Sequence, residues 1–288
     1  MQSLQESLKS NQFTITAEVC PPKGADVKDF ISKALALKER VNAINVTDNQ
    51  RAIMRLGSLG ASIILLSHNI DPIYQLTCRD RNRIALQSDL LSAAAFGIKN
   101  VLLLTGDHVS AGDHIDAKPV FDLDSVQLID IASRLNHGFS AIDKPIKGKT
   151  SFFIGGVVNP GASPLEPEMI TFEKKVQSGA RFFQTQAIYD IEKLKRFLHF
   201  VNKLDVYILA GILVLKSAKM ARFLNDNVAG VNVPQDLIKQ LEDSKDPLEK
   251  GIEIAAEQIR SLKNICHGVH IMTVGQEEII NNILDKID

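Results

Sequence analysis

Phe13-Thr-Ile-Thr-Ala-Glu-Val-Cys-Pro-Pro22 decides the reading of this chain. Its apolar and β-branched residues alternate as in a strand, and two prolines, which cannot donate to a ladder, stop it. The strand leaves one carboxylate, Glu18, at its exit. In parallel α/β proteins ligands sit outside the carboxyl ends of the strands, so an acid placed there faces whatever the rim holds.

Similar short runs recur at Ala43–Thr47, Ile73–Cys78, Asn100–Thr105, Phe152–Val158, Phe182–Ile188, Val206–Ile212 and Val269–Val274. Most are nearly continuous in hydrophobicity, as strands buried on both faces require. Helical spacing separates them, beginning at residues 30–38 and recurring at Ala85–Phe96, Ser125–Leu135, Met169–Ser178, Glu192–Val201 and Ser217–Leu224. A last helical pattern covers Gln276–Lys286. Gly97, Gly138 and Gly179 fall where helix C-caps belong. Eight strand–helix units with no break in composition predict an α/β fold, a single (β/α)8 TIM barrel over residues 1–288 with residues 1–12 as a polar lead-in. Residues 216–268 exceed one unit and predict two or three extra helices between strands 7 and 8. No Gly-x-Gly-x-x-Gly turn follows a strand, which counts against a dinucleotide-binding sheet.

Composition narrows the function. A net charge of −1 argues against nucleic acid as the main partner, because phosphate neutralisation needs a basic face. The basic run Lys144-Pro-Ile-Lys-Gly-Lys149 reads as a solvated loop. Residues 1–12 lack the apolar core of a secretory signal, and no apolar run approaches a membrane span. Cys20, Cys78 and Cys266 are too far apart for a disulfide framework or a zinc site, so the expected address is the reducing cytoplasm. Cys266-His-Gly-Val-His270 only faintly resembles ligand spacing, and no metal site is expected.

The strand exits supply the candidate chemistry. They carry Glu18, Thr47-Asp-Asn-Gln50, Thr77-Cys-Arg-Asp80, Thr105-Gly-Asp107, Asn159-Pro-Gly161, Thr185-Gln186 and the segment from His270 to Gly275. Each has a bland alternative. Glu18 could pair with a basic neighbour, Asp107 could cap a helix, and Thr47 is simply a good strand former. Gln186 within an apolar strand is harder to dismiss, since a buried amide needs partners.

Taken in order, Glu-x-x-Pro-Pro, Val-Thr, Leu-Thr-Cys and Leu-x-Gly-Asp at the first four exits resemble the methylenetetrahydrofolate reductase family. Lys175-Val-Gln-Ser-Gly179, Thr185-Gln186 and Gly211-Ile-Leu213 continue the resemblance along essentially the whole chain. It implies a TIM barrel with a flavin across its C-terminal rim. The implied reaction is flavin-dependent reduction of 5,10-methylenetetrahydrofolate to 5-methyltetrahydrofolate by a ping-pong hydride relay. Carried over by motif, Glu18 is the general acid and Asp107 a second catalytic group near the flavin pyrimidine and the pterin. Gln186, with Asp107, binds folate. Thr47, Gly106, Asp107, Asp124, Ser125, Asn159 and Lys175 form the cofactor-binding set. Burial, with Asp107 as a nearby charge, is expected to raise the Glu18 pKa.

The chain departs from the typical pattern at Val19-Cys20, Thr105, the Gly155–Gly161 segment and Ala218. These departures are similar to the branch of anaerobes with a folate-linked one-carbon pathway. That branch implies FAD, or FMN in its place, reduced by NADH or another electron donor. It also implies an oligomer and a small cysteine-rich zinc-containing partner subunit. Two alternatives stand beside this reading. One is a methyltransferase-type folate barrel without flavin, in which Asn159 serves the pterin. The other is a non-autonomous flavin or folate subunit of an electron-transfer complex.

Overall fold

The computed structural model describes residues 2–287. Eight strands, β1 (Thr14–Val19), β2 (Ala43–Val46), β3 (Pro72–Thr77), β4 (Asn100–Leu104), β5 (Phe153–Val158), β6 (Phe182–Ala187), β7 (Tyr207–Leu213) and β8 (Gly268–Met272), close in sequence order. Every pairing is parallel, and the barrel shuts where Thr14 meets Gly268 and Ala17 meets Ile271. The expected (β/α)8 barrel is therefore the observed one.

Helices α1 (Leu4–Lys9), α2 (Lys28–Leu37), α3 (Ser58–Ser67), α4 (Arg83–Ala95), α5 (Ser125–His137), α6 (Glu166–Gln177) and α7 (Ile191–Val201) precede β7. Three further helices, α8 (Ala218–Asn227), α9 (Gln235–Asp243) and α10 (Pro247–Leu262), fill the predicted insertion before β8, and α11 (Ile279–Asp285) follows it. Helices α8 and α9 bury Leu224, Ile238 and Leu241 in a side core with Tyr189 and Ile254. Local chemistry sets the boundaries: Asp124 and Gln127 form a reciprocal capping box at the start of α5, and Gly138 ends it with φ 90°.

Two elements differ from the expectations. Residues 4–9, within the expected polar lead-in, form α1, whose Leu4 and Leu8 are buried beneath the barrel against Ala43, Ile73, Leu102, Phe153, Phe182 and Leu209. The helix corks the N-terminal end. Leu4→Ala is expected to cost about 2 kcal/mol in urea unfolding, since a buried leucine is truncated at a partly yielding site. The other is α3, Ser-Leu-Gly-Ala-Ser-Ile-Ile-Leu-Leu-Ser, which is apolar over most of its circumference and shows no 3.6-residue stripe to read.

Candidate functional site

The centre of the barrel interior is polar. Thr16, Asn45, Gln184 and His270 are each at most 3% exposed. Asn45 and Gln184 exchange amide hydrogen bonds of 2.8 and 3.0 Å across the lumen. The Gln184 amide also lies 3.5 Å from the Thr16 hydroxyl, which is 3.1 Å from His270 Nδ1. Reciprocal pairing satisfies amides that would otherwise be costly to bury. Burial also drives the His270 pKa down to about 3, so its ring is neutral.

Glu18 stands one layer above. Its Oε2 is 4.0 Å from His270 Nε2, and its Oε1 accepts a 3.0 Å hydrogen bond from Gln50. Burial raises its pKa to about 7, against the lowering effect of Gln50 and with further help from the charge of Glu277. The raised value agrees with expectation, but its source does not include Asp107. That residue is exposed on another part of the rim and accepts the Arg51 backbone N–H at 3.2 Å.

The loop after β2 holds Gln50 in place under strain. Asn49, Arg51 and Ala52 all adopt positive φ without being glycine, a conformation that costs of order 1 kcal/mol or more each. Compensating contacts pin the loop: the Arg55 N–H donates to Asn49, the Arg55 guanidinium to the Pro21 carbonyl, and the Met54 N–H to Asp113. Just past β2, the buried Asp48 accepts from the N–H and hydroxyl of Thr77, the last residue of β3, and from both Arg81 terminal nitrogens. The next arginine back, Arg79, is 2% exposed and clasps Asp80 at 2.8 and 2.7 Å.

These exits enclose a cavity of about 390 Å³. Glu18, Gly106, Asp107, Ser125, Lys175 and Gln186 all line it, so six of the expected site residues are brought together. Gly106 has φ 92°, and a Cβ there would press on Thr77 and Arg79 at 3.0 and 3.3 Å. Lys175 reaches in from α6, is 5% exposed, and gives one N–H to the Val157 carbonyl. Burial lowers its pKa, opposed by Glu168 and Asp124.

Three expected residues lie elsewhere. Thr47 is fully buried behind the mouth. Asp124 caps α5 and borders a neighbouring shallow depression with His108 and Phe121. Asn159 ties the loop after β5 to the insertion, donating to the Ala229 carbonyl and accepting from the Gly161 N–H.

The buried amide of β6 belongs to Gln184, not to the expected Gln186. A register shift between Gln184 and Ala187 separates the two, and Gln186 is exposed at the rim. Sequence reasoning also missed Gln50 and His270 as neighbours of the acid; both approach it through loop conformation or barrel closure, which have no local signature. Cys266 donates to the Gly268 carbonyl. Among the described residues no cluster of three or more His, Cys, Asp or Glu could hold a metal ion, and no helix is long and apolar enough to cross a membrane.

Comparison with known proteins gives a consistent result. The family model described as methylenetetrahydrofolate reductase matches residues 3–288. Methylenetetrahydrofolate reductase 1 of Schizosaccharomyces pombe is 24% identical over 246 residues, which cover 78% of this chain and 37% of that protein. The match thus spans well under half the length of that relative. The 5,10-methylenetetrahydrofolate reductase of Pectobacterium carotovorum is 23% identical over 294 residues, covering 96% and 92%. Among solved structures, a protein from Clostridium thermocellum, described as binding two copies of 5-methyl-5,6,7,8-tetrahydrofolic acid, superposes with a TM-score of 0.67. Its identity is 18%, and the match covers 99% of this chain and 97% of the other. At that identity the likeness establishes the fold.

Proposed function

The chain belongs to the methylenetetrahydrofolate reductase family, and on that footing we propose that its barrel mouth reduces 5,10-methylenetetrahydrofolate to 5-methyltetrahydrofolate with a bound flavin. The observation that carries this reading is Glu18, a buried carboxyl with a pKa near 7 at the floor of a cavity. Opening the five-membered ring of the folate needs a proton delivered to nitrogen, and a carboxylic acid can deliver it near neutral pH only when its pKa is raised in this way.

The cavity residues fit a flavin. Gly106 lines the cavity, and Leu104, Val157 and Met272 supply apolar wall for a flat ring. Lys175 keeps two N–H groups beyond the one it gives Val157. The flavin, when bound, would take hydride from a donor and pass it to the folate. Lys175, Gly106 and Ser125 would hold it, with Thr47 supporting from behind and Asp124 and Asn159 acting at the periphery. Gln186 and Asp107 would bind the pterin from the open side, and Glu18 would give up its proton from below.

We place the chain with the anaerobe branch of the family, on the departures at Val19-Cys20, Thr105 and Ala218. On that placement the cofactor is FAD or FMN, and the electrons come from NADH or through a small zinc-containing partner subunit. The visible spectrum of the purified protein tests the reading. A flavin band is expected, bleached anaerobically by NADH or by an artificial donor and restored by methylenetetrahydrofolate. Colourless protein that takes up neither FAD nor FMN would overturn it.

A further inference from the structure

A second buried carboxylate sits beside the acid and has no part in the reaction described above. Glu277, just before α11, is 4% exposed. Its Oε1 accepts the N–H of Cys20, two residues beyond Glu18, at 3.4 Å, and its Oε2 lies 3.1 Å from Lys33 Nζ on α2. Lys33 also pairs with Asp29 at 2.9 Å. Asp29, and secondarily Glu277, raise the Lys33 pKa to about 12 against the effect of burial, so the lysine is charged.

The other groups around Glu18 carry little charge. The His270 ring from β8 is neutral, and Gln50 presents an amide. The Cys20 thiol is pushed up to about 12 by burial and by Glu18 itself, so it is also neutral. Arg55 acts on Cys20 from the loop after β2, and Lys216 feels Glu277 from the end of β7. Glu277 is therefore the anion that bears on Glu18.

We propose that Glu277 is a positioning residue for the acid: its carboxylate, bonded to the Cys20 N–H just past β1 and anchored by Lys33, adds to burial in holding Glu18 in its proton-bearing form. Like charges close together in a dry site disfavour a second ionisation. Anchoring through Lys33 and the Cys20 N–H fixes the distance over which that repulsion acts. The sequence shows nothing of this arrangement, because Glu277 meets β1 only through closure of β8 against it.

This inference rests on the reading of Glu18 as the acid, yet its test does not. The protonation of Glu18 can be read in the resting protein, without folate or donor, from the carboxyl C=O stretch in pH-difference infrared spectra, assigned by its loss in Glu18→Gln. Glu277→Gln keeps the acceptor for Cys20 and removes the charge. The Glu18 titration is expected to move down by on the order of one pH unit, while Glu277→Asp stays within a few tenths of wild type. An unmoved titration in Glu277→Gln, or an equal fall in Glu277→Asp, would overturn the proposal. Should Glu277→Gln fail to fold, Glu277→Met, which fills similar space without the charge, takes its place: a fall in the Glu18 titration is again expected, and an unmoved titration would count against the proposal. If the infrared shifts appear but the pH profile of folate turnover ignores them, Glu277 tunes Glu18 and the assignment of Glu18 as the acid is what fails.

Discussion

Glu18→Gln is expected to lower methylenetetrahydrofolate turnover by about a thousandfold, in the middle of the range contributed by a positioned general acid. Flavin content and the rate of flavin reduction by a competent donor should stay within a few-fold of wild type. The asymmetry follows from the site. Glu18 lies on the floor of the cavity, bonded to Gln50 and close to His270, whereas Lys175, Gly106 and Ser125 reach the cavity from other exits. Glutamine preserves size and accepts the same Gln50 hydrogen bond, but has no proton of suitable acidity to give. Stopped-flow measurement of the two half-reactions separates the outcomes. Equal loss in both would mean that Glu18 organises the site as a whole.

The same substitution should stabilise the protein at alkaline pH. In the folded protein the Glu18 carboxyl titrates near 7 instead of its ordinary 4.5. Between those values the folded state holds a proton that the unfolded chain has released, so this residue's contribution falls as pH rises through the window. The whole difference is worth roughly 3 kcal/mol. His270 acts with the opposite sign. Its pKa is depressed from 6.5 to about 3, so its contribution is present above 6.5 and is lost as pH falls toward 3.

In the wild type the two slopes oppose one another between about pH 4.5 and 6.5. Glu18→Gln removes one of them. Its urea-unfolding stability should match wild type near pH 4.5 and exceed it by roughly 3 kcal/mol at pH 8. A constant difference across this range would show that the folded carboxyl titrates normally. A gain in stability with loss of turnover is the trade expected where a fold holds a destabilised group for its chemistry.

How far the sequence could be read depended on the distance over which each feature is determined. Strand order and the extra helices before β8 were legible because runs of β-branched residues and helical stripes are local patterns. The α3 helix was not, since a helix apolar on most sides loses its period, although only Ser58, Ala61, Ser62 and Leu65 are buried. The α1 helix was hidden by its brevity and its polar flanks, with only Leu4 and Leu8 to mark it.

In the site, Glu18 was legible as an acid ending an apolar strand. Gln186 and Gln184 share a strand and differ by two residues, and alternation cannot say which lies at the depth where an amide must be paired. Depth along the barrel axis is set by register with β5 and β7, including the shift beside Gln186. Burial as the main source of the Glu18 shift was foreseen, but the charge that adds to it was misread for a similar reason. Asp107 was the nearest acid in the motif, but closure of β8 onto β1 brings Glu277 there instead.

The amide pair across the lumen has a kinetic consequence. Asn45 and Gln184 do not ionise, and the His270 ring beside them takes a proton only in strong acid. Below Glu18 there is thus no ready acceptor, and the proton on that carboxyl exchanges with bulk water through the mouth. A ligand seated over the opening would shut that route. Whichever charge state Glu18 holds when the mouth is covered is the state it keeps until the ligand reacts or leaves, so proton loading is decided at the moment of entry.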